Sequence, residues 1–248
     1  RTNYSTNSID CGIFLDCIND LRKIIKVPET LNKGAKEILC NYAFAKLKNR
    51  TPIHNQYLWL LSGFSRSINE IPKQDRELSK ELIIQVINYY YSINNNDGSC
   101  CYSSLSDELN NITTYYHSRC LAFISFSLEN INYKSKLLED LFYKGALFLA
   151  KMYKTDGIKA LSLESKRYYF HNNYELASTP YDIYVFEKAY NISKDNLWLE
   201  LSANCLNQFI KSIHIKGFQQ SKLNPRHHDW QCNIMRTTHH AWLTRLSN

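Results

Sequence analysis

Apolar residues recur along this chain at the three- and four-residue spacing of amphipathic helices. The first such stripe consists of Ile13, Phe14, Cys17, Ile18, Leu21, Ile24 and Ile25. It predicts a helix that ends before Pro28, because proline disrupts a helix from within. A second stripe, from Leu31 to Tyr42, follows after a short break. We therefore expect these two helices to form an antiparallel pair.

Three further helix pairs and a final helix are predicted along the rest of the chain. The paired helices span about 55–71, 75–94, 114–130, 137–149, 174–190 and 195–213. Gly98 closes an Asn-rich turn after the second pair and is expected to stop its helix. Thr113 and Thr114 are residue types typical of an N-cap, and they open the third pair. The last helix begins near Asp229.

A cluster of His, Asn and aromatic residues appears four times at nearly even intervals, each near the start of a predicted helix. The clusters are His54-Asn55-Gln56-Tyr57, Tyr115-Tyr116-His117, His171-Asn172-Asn173-Tyr174 and His227-His228-Asp229-Trp230. If helix pairs repeat in the same sense, the starts of alternate helices lie at one end of the molecule. We therefore expect the four clusters to converge on one cleft.

The arrangement of helix pairs predicts the architecture. No Pro- or Gly-rich linker interrupts them, so a single domain over residues 1–248 is expected. Pairs that cannot bury their apolar faces alone stack into an open solenoid or curl into a toroid. Polar and aromatic helix starts favour an all-α fold, an incomplete (α/α)n toroid of antiparallel helix pairs with a central cleft. In the alternative, a solenoid, the aromatic helix starts would serve only packing.

The composition supports a helical protein and narrows the choice of ligand. Only 7 Gly and 5 Pro occur in 248 residues, which is few for strands joined by tight turns. The 18 Tyr residues exceed what a core of this size needs, and a groove lined with Tyr suits sugars. A net charge of +7, scattered along the chain, favours an anionic ligand. No nucleic-acid-binding signature is present, so we expect no nucleic-acid partner.

Other classes of protein are disfavoured by the residue pattern. No apolar run approaches the roughly 20 residues of a membrane span, so no membrane partner is expected. The 8 cysteines form no CxxC pair and no Cys/His zinc spacing, so we expect no metal and no other cofactor. Arg1 is neither an initiator Met nor the start of a signal peptide, and we expect a trimmed or mature fragment of a longer chain.

Two stretches resemble bacterial alginate lyases of the α/α-toroid type. One comprises Asp97-Gly98-Ser99, Glu108-Leu109 and Tyr115-Tyr116-His117, where that family has a DG(S/T) turn, an E-L pair and a helix opening with Tyr-His-Asn. The other, Asn55-Gln56-Tyr57-Leu58-Trp59, is similar to the family's Asn-His-Ser-Tyr-Trp helix start. The resemblance covers roughly residues 30 to 155. It implies cleavage of acidic polysaccharides by β-elimination without a metal, and we expect a periplasmic or secreted location.

The resemblance also implies roles for individual residues. Asn55 matches the Asn that neutralises the substrate carboxylate, and Tyr116 matches the Tyr that moves the proton. Gln56 stands where the family has His, and Leu109 stands where it has Arg. Adjacent candidates to replace these two altered groups are His54, His117 and Arg119.

The chemistry of β-elimination explains why such side chains would gather. Donors must neutralise the uronate carboxylate and stabilise the enolate that develops, and a Tyr or His must take the proton from carbon 5. The predicted catalytic residues are Tyr116, His117, Asn55 and His171. The predicted substrate-binding residues are His54, Gln56, Tyr57, Arg119, Asn172, Tyr174, Arg226, His228 and Trp230. We thus predict a lyase that acts on an anionic, uronate-containing polysaccharide.

Two alternatives remain open from the residues alone. A glycoside hydrolase of the same fold, such as an unsaturated-uronyl hydrolase, would use carboxylates in the groove. The carboxylates near the clusters are Asp97, Asp107, Glu108, Asp182 and Asp229. A non-catalytic glycan-binding toroid is the other alternative, because Gln56 and Leu109 depart from the lyase pattern.

Overall fold

The structure, a computed structural model, describes residues 8–49, 54–100, 111–153, 159, 162–164, 167–169 and 178–211. Most of these residues are helical, and the helices of the four predicted pairs are present. The last predicted helix, near Asp229, lies outside the described residues. The α-helices are α1 (Ser8–Ile24), α2 (Glu29–Glu37), α3 (Phe44–Asn49), α4 (His54–Arg66), α5 (Lys73–Ser92), α6 (Thr114–Asn130), α7 (Lys136–Lys151), α8 (Thr179–Ser193) and α9 (Leu197–Lys211).

Two helix boundaries differ from the predictions. Helix α5 ends at Ser92, and Gly98 lies in the turn beyond it with a positive φ of 87°. Helix α8 begins at Thr179, with Ser178 as the residue before it and Pro180 in its first turn, so Tyr174 does not open this helix. Proline favours the first turn of a helix because its missing N–H has no intrahelical partner there. Apolar periodicity locates a helix better than it locates the helix ends.

Helices α2 and α3 belong to one continuous helical run. A π-helical stretch, Ile38–Ala43, joins them. The buried residues Ala35, Leu39, Ala43 and Leu47 are spaced by four, so the same side of the run faces the core throughout. This run corresponds to the second predicted stripe.

A small antiparallel sheet accompanies the helices and was not predicted. Its strands are β1 (Asn111–Thr113), β2 (Ser162–Glu164) and β3 (Arg167–Tyr169), in that order. Strand β1 leads directly into α6. Three-residue strands are too short to show an alternating pattern that separates them from loops.

The chain divides into two compact units. Among the described residues, the first unit contains everything up to Asn94 together with Phe123–Lys136. The second contains 95–100, 111–122 and the described residues from Leu137 onward. Helix α6 contributes to both, because the division falls between Ala122 and Phe123. A single domain over the whole chain stays a prediction.

The first unit is built around the crossing of α1 and α4. A Cβ atom added to Gly12 would lie 2.6 Å from the Trp59 carbonyl oxygen, and one added to Gly63 would lie 2.5 Å from the Gly12 carbonyl oxygen. The two backbones therefore touch with no room for a methyl group. Beside this contact the Arg66 guanidinium pairs with Asp16 and Asp20, which ties the end of α4 to α1.

The core of the second unit includes the packing of α8 against α9. Trp198 at the start of α9 is fully buried, and its ring centroid lies 5.8 Å from that of Phe186 and 5.5 Å from that of Tyr143. Phe148 packs with Ile112 and Met152, which joins α7 to strand β1. Across the described residues, no helix combines the length and apolar character needed to cross a membrane.

The glycine contact in the first unit predicts a stability difference between two kinds of Gly→Ala change. Gly12→Ala and Gly63→Ala should each lower the free energy of unfolding by about 1–3 kcal/mol, because the new methyl group meets backbone that cannot move aside locally. Urea denaturation followed by circular dichroism measures the change.

Gly34→Ala provides the matched control. Gly34 is also helical, yet a Cβ there would meet nothing within 4 Å. Alanine has the higher helix propensity, so this variant should be neutral or more stable by up to about 1 kcal/mol. Equal destabilisation by all three changes would contradict the close-contact interpretation.

Candidate functional site

The first His/Asn/Tyr cluster opens α4, as predicted, and lies in the first unit. His54, Asn55 and Tyr57 are buried and Gln56 is half-buried. The His54 ring meets the rings of Tyr57 and Tyr90 edge to face, with centroids 5.8 and 6.2 Å apart. The Asn55 Oδ1 atom is buried and accepts no hydrogen bond from the described residues. His54 and Tyr57 therefore contribute to packing, and the substrate role of Asn55 stays a prediction.

The second cluster lies in the first turns of α6, in the second unit. Tyr116 is half-buried, and Arg119 is 7% exposed. The Arg119 guanidinium carbon lies 5.8 Å from the centroid of the Tyr116 ring and 5.5 Å from that of Tyr181 at the start of α8. Both distances allow cation–π attraction. Two elements far apart in sequence thus orient one guanidinium.

His117 is buried on the side of α6 that faces α7. Its Nε2 atom lies 3.0 Å from the carbonyl oxygen of Gly145. A carbonyl can only accept, so Nε2 carries the proton and donates, and Nδ1 of the neutral ring is left as an acceptor. Nδ1 has no partner among the described residues. The ring also meets Phe148 edge to face at 5.2 Å.

The protonation of His117 is controlled by its surroundings. Burial lowers the pKa of His117 to about 4, because a charged imidazolium would lose its hydration. The hydrogen bond to Gly145 and the negative charges of Asp97 and Asp182 offset part of this decrease in pKa. The positive charge of Lys159 adds to the decrease. His117 is therefore neutral at physiological pH.

The Asp97-Gly98-Ser99 turn packs against α7 beside Gly145, the residue that His117 contacts. The Asp97 Oδ1 atom accepts hydrogen bonds from the Ser99 backbone N–H at 2.9 Å and from its hydroxyl at 2.7 Å. A Cβ on Gly98 would lie 2.5 Å from the Lys144 carbonyl oxygen and 2.9 Å from the Gly145 nitrogen. The two sequence motifs, Asp97-Gly98-Ser99 and Tyr115-Tyr116-His117, therefore meet at Gly145. The Asp97 side chain is exposed beside them.

A buried polar network lies at the start of α8. The fully buried Asp182 Oδ2 atom accepts from the Tyr153 hydroxyl and from Lys159 Nζ, each at 2.6 Å. Lys159 Nζ also donates to the Ser178 hydroxyl. From the sequence, Asp182 is only one of several candidate carboxylates, and Lys159, Tyr153 and Tyr181 are not predicted as site residues. No local pattern connects these residues.

Two other titratable groups in this network remain protonated. Loss of hydration, followed by the charge of Asp182, raises the pKa of the Tyr153 hydroxyl well above its usual value. Burial, with a further contribution from Asp182, raises the pKa of the Cys205 thiol to about 12. A buried thiol of this kind is unreactive. The network thus holds a carboxylate in place and supplies no nucleophilic cysteine.

The predicted convergence of the four clusters stays a prediction. His54, Asn55, Gln56 and Tyr57 belong to the first unit, and Tyr116, His117 and Arg119 belong to the second. Six predicted site residues lie outside the described residues: His171, Asn172, Tyr174, Arg226, His228 and Trp230. In the described part of the chain, no group of three His, Cys, Asp or Glu residues has the geometry of a metal site.

Comparison with solved structures identifies the class of fold. Cellobiose 2-epimerase from Bacillus thermoamylovorans superimposes with a TM-score of 0.74 at 11% identity, over 97% of this chain and 71% of the epimerase. An unsaturated glucuronyl hydrolase from a Bacillus species gives 0.69 at 12% identity, over 99% and 68%. A glycosyl hydrolase of family 88 from Bacteroides vulgatus gives 0.67 at 12%, over 97% and 74%.

These likenesses show that the chain has the α/α-toroid fold, as predicted. Identities this low show the fold alone, since one fold hosts many activities. The three named neighbours are hydrolases and an epimerase rather than alginate lyases, so the toroid part of the resemblance is supported and the lyase part is not. No protein-family model matches the chain. No curated protein sequence matches it either.

The buried neutral His117 predicts a loss of stability in mild acid. Its pKa is about 4 in the folded chain against 6.5 for an exposed histidine, so the unfolded chain binds the extra proton between these pH values. Stability should be fully present above pH 6.5 and fall by about 3 kcal/mol as the pH decreases to 4. Urea unfolding across this pH range measures the slope.

His117→Gln supplies the control, because the Gln amide can donate to Gly145 without titrating. The difference in unfolding free energy between wild type and variant should change with pH only below about 6.5. A constant difference from pH 4 to 7 would show that His117 is not the responsible group.

Proposed function

We propose that this chain is a carbohydrate-processing enzyme that acts on acidic oligosaccharides, and that it cleaves them by hydrolysis. The observation that carries the proposal is the Arg119 guanidinium, placed beside the Tyr116 and Tyr181 rings, in a fold shared with enzymes named as glycoside hydrolases. The proposal replaces β-elimination by the hydrolytic alternative that the sequence also allowed.

Arg119, together with the rings of Tyr116 and Tyr181, has the chemistry to recognise a uronate. A guanidinium presents planar pairs of donors that match a carboxylate, and its charge does not depend on pH in the physiological range. Tyr rings offer apolar faces to a sugar and hydroxyls to its polar edge. One neighbour in the same fold is a variant, abbreviated UGL, that contains the oligosaccharide dGlcA-Glc-Rha-Glc. This supports an acidic sugar as the ligand class to test first.

Asp97 is the candidate acid for hydrolysis. Protonation of a glycosidic oxygen is commonly the work of a carboxyl group. Asp97 is exposed, and its Oδ1 atom accepts both hydrogen bonds from Ser99. Its negative charge raises the pKa of His117, and its turn packs against Gly145, the residue that His117 contacts. Asp182, by contrast, is fully buried in its own network.

Epimerisation is a second candidate, because two similar structures are sugar epimerases and His117 has the matching chemistry. Epimerisation next to a carbonyl needs a neutral base that removes a proton from carbon. His117 is neutral and its Nδ1 atom is an acceptor with no partner among the described residues. This activity would change a reducing sugar without breaking a glycosidic bond.

One absorbance measurement separates the proposals. Unsaturated uronates absorb in the ultraviolet, so a lyase raises the absorbance of a saturated uronate polymer, whereas an unsaturated-uronyl hydrolase lowers that of an unsaturated disaccharide. We expect the decrease. An increase on the polymer would restore the lyase hypothesis. No change in either sample, with a new epimer in the proton spectrum of a reducing disaccharide, would favour the epimerase.

Two single-atom variants test the residue roles. Asp97→Asn keeps the acceptor for Ser99 but removes the acid, and it should lower turnover about 10²–10⁴-fold. Tyr116→Phe keeps the ring beside Arg119 and should retain most of the activity. Steady-state kinetics on the responsive disaccharide measure both. The opposite ranking, with Tyr116→Phe inactive and Asp97→Asn active, would favour proton transfer by Tyr116 as in β-elimination.

A further inference from the structure

Lys159 lies at the start of α8, where it pairs with the buried carboxylate of Asp182. Its Nζ atom donates to Asp182 Oδ2 at 2.6 Å and also to the Ser178 hydroxyl. Ser178 is the residue before α8, and Asp182 lies in the first turns of the helix. One ammonium therefore holds two points of the helix start. Both charged side chains are almost completely buried, at 6% and 0% exposure.

The same helix start carries Tyr181. Tyr181 is the residue before Asp182 and is fully buried, with its ring 5.5 Å from the Arg119 guanidinium carbon. A movement of the first turn of α8 would move this ring. Adjacent residues on a helix cannot shift independently, since the backbone bonds fix their relative directions. The position of Tyr181 thus depends on the bonds that hold Ser178 and Asp182.

We propose that Lys159 is a positioning residue for Arg119: by holding Asp182 and Ser178 it places Tyr181 so that the guanidinium meets its ligand in one orientation. The part that concerns a ligand carboxylate rests on the proposed function. The part that concerns the orientation of Arg119 does not.

The chemistry of the pair explains why a lysine is needed. A carboxylate buried without a cation is strongly unfavourable, so removal of the ammonium forces Asp182 to rearrange or to take up a proton. Tyr153 would then remain as a donor to Asp182. Ser178 would lose the ammonium and keep only its 3.3 Å hydrogen bond to the same Asp182 oxygen. Arginine keeps the charge and several donors, so Lys159→Arg should restore part of the arrangement.

Nuclear magnetic resonance of isotope-labelled protein tests the positioning directly. In wild type, the Arg119 Nε–H resonance should be displaced by the ring currents of Tyr116 and Tyr181, and Arg119→Lys assigns it by its loss. In Lys159→Met the resonance should move toward that of an exposed arginine while the helical circular dichroism is unchanged. An Arg119 resonance that stays in place in Lys159→Met would overturn the proposal.

Ligand binding tests the consequence. Methyl glucuronide and methyl glucoside are a matched pair that differ by one carboxylate, and calorimetry measures both. Lys159→Met should weaken the glucuronide about tenfold or more, as for the loss of one charge-assisted hydrogen bond, and leave the glucoside unchanged. Lys159→Arg should recover part of the loss. Lys194→Met, an exposed lysine at the other end of α8, should have no effect.

Two further outcomes are decisive. If wild type fails to prefer the glucuronide while the Arg119 resonance responds to Lys159→Met, the carboxylate function is wrong and the positioning role stands. If Lys159→Met does not fold, the double variant Lys159→Met with Asp182→Asn removes both buried charges together. A displaced Arg119 resonance in the double variant supports the proposal, and an unchanged one contradicts it.

Discussion

The close approach of three chain segments at Gly145 is the constraint on which the second unit depends. Gly98 lies so near the backbone of Lys144 and Gly145 that no Cβ fits, and His117 donates to the Gly145 carbonyl. A Cβ on Gly145 itself would lie 2.9 Å from the Leu121 side chain. The turn at 97–99 is therefore held at backbone contact distance from α7, and α6 packs on Gly145 through the side chains of His117 and Leu121. This contact buries His117, keeps it neutral, and leaves Asp97 exposed beside it.

Electrostatics in the interior of this unit follow from that packing. The buried pair of Lys159 and Asp182 has opposing effects on His117, because Asp182 raises its pKa and Lys159 lowers it. Burial of such a pair contributes little to stability, since desolvation offsets the attraction. The pair instead fixes the start of α8, and it thereby positions the Tyr181 ring beside Arg119.

The toroid fold of this protein does not by itself determine its activity. The fold is shared, at 11–12% identity, with enzymes of at least two named activities, a glycoside hydrolase class and a sugar epimerase. Function is therefore argued from the residues themselves. The proposed chemistry is built from a guanidinium close to two Tyr rings, an exposed carboxylate held by Ser99 and a neutral imidazole.

The sequence by itself determined the helices and the two polar motifs that open α4 and α6. Apolar periodicity and the Asp-Gly-Ser turn are local signals, and local hydrogen bonding and side-chain burial express them directly. Only the tertiary structure decided that α8 begins at Thr179 and that Lys159 and Tyr153 bond to Asp182. These partners are separated by 23 and 29 residues, and no sequence period connects them. Their meeting depends on how the whole of the second unit packs, which a local pattern cannot encode.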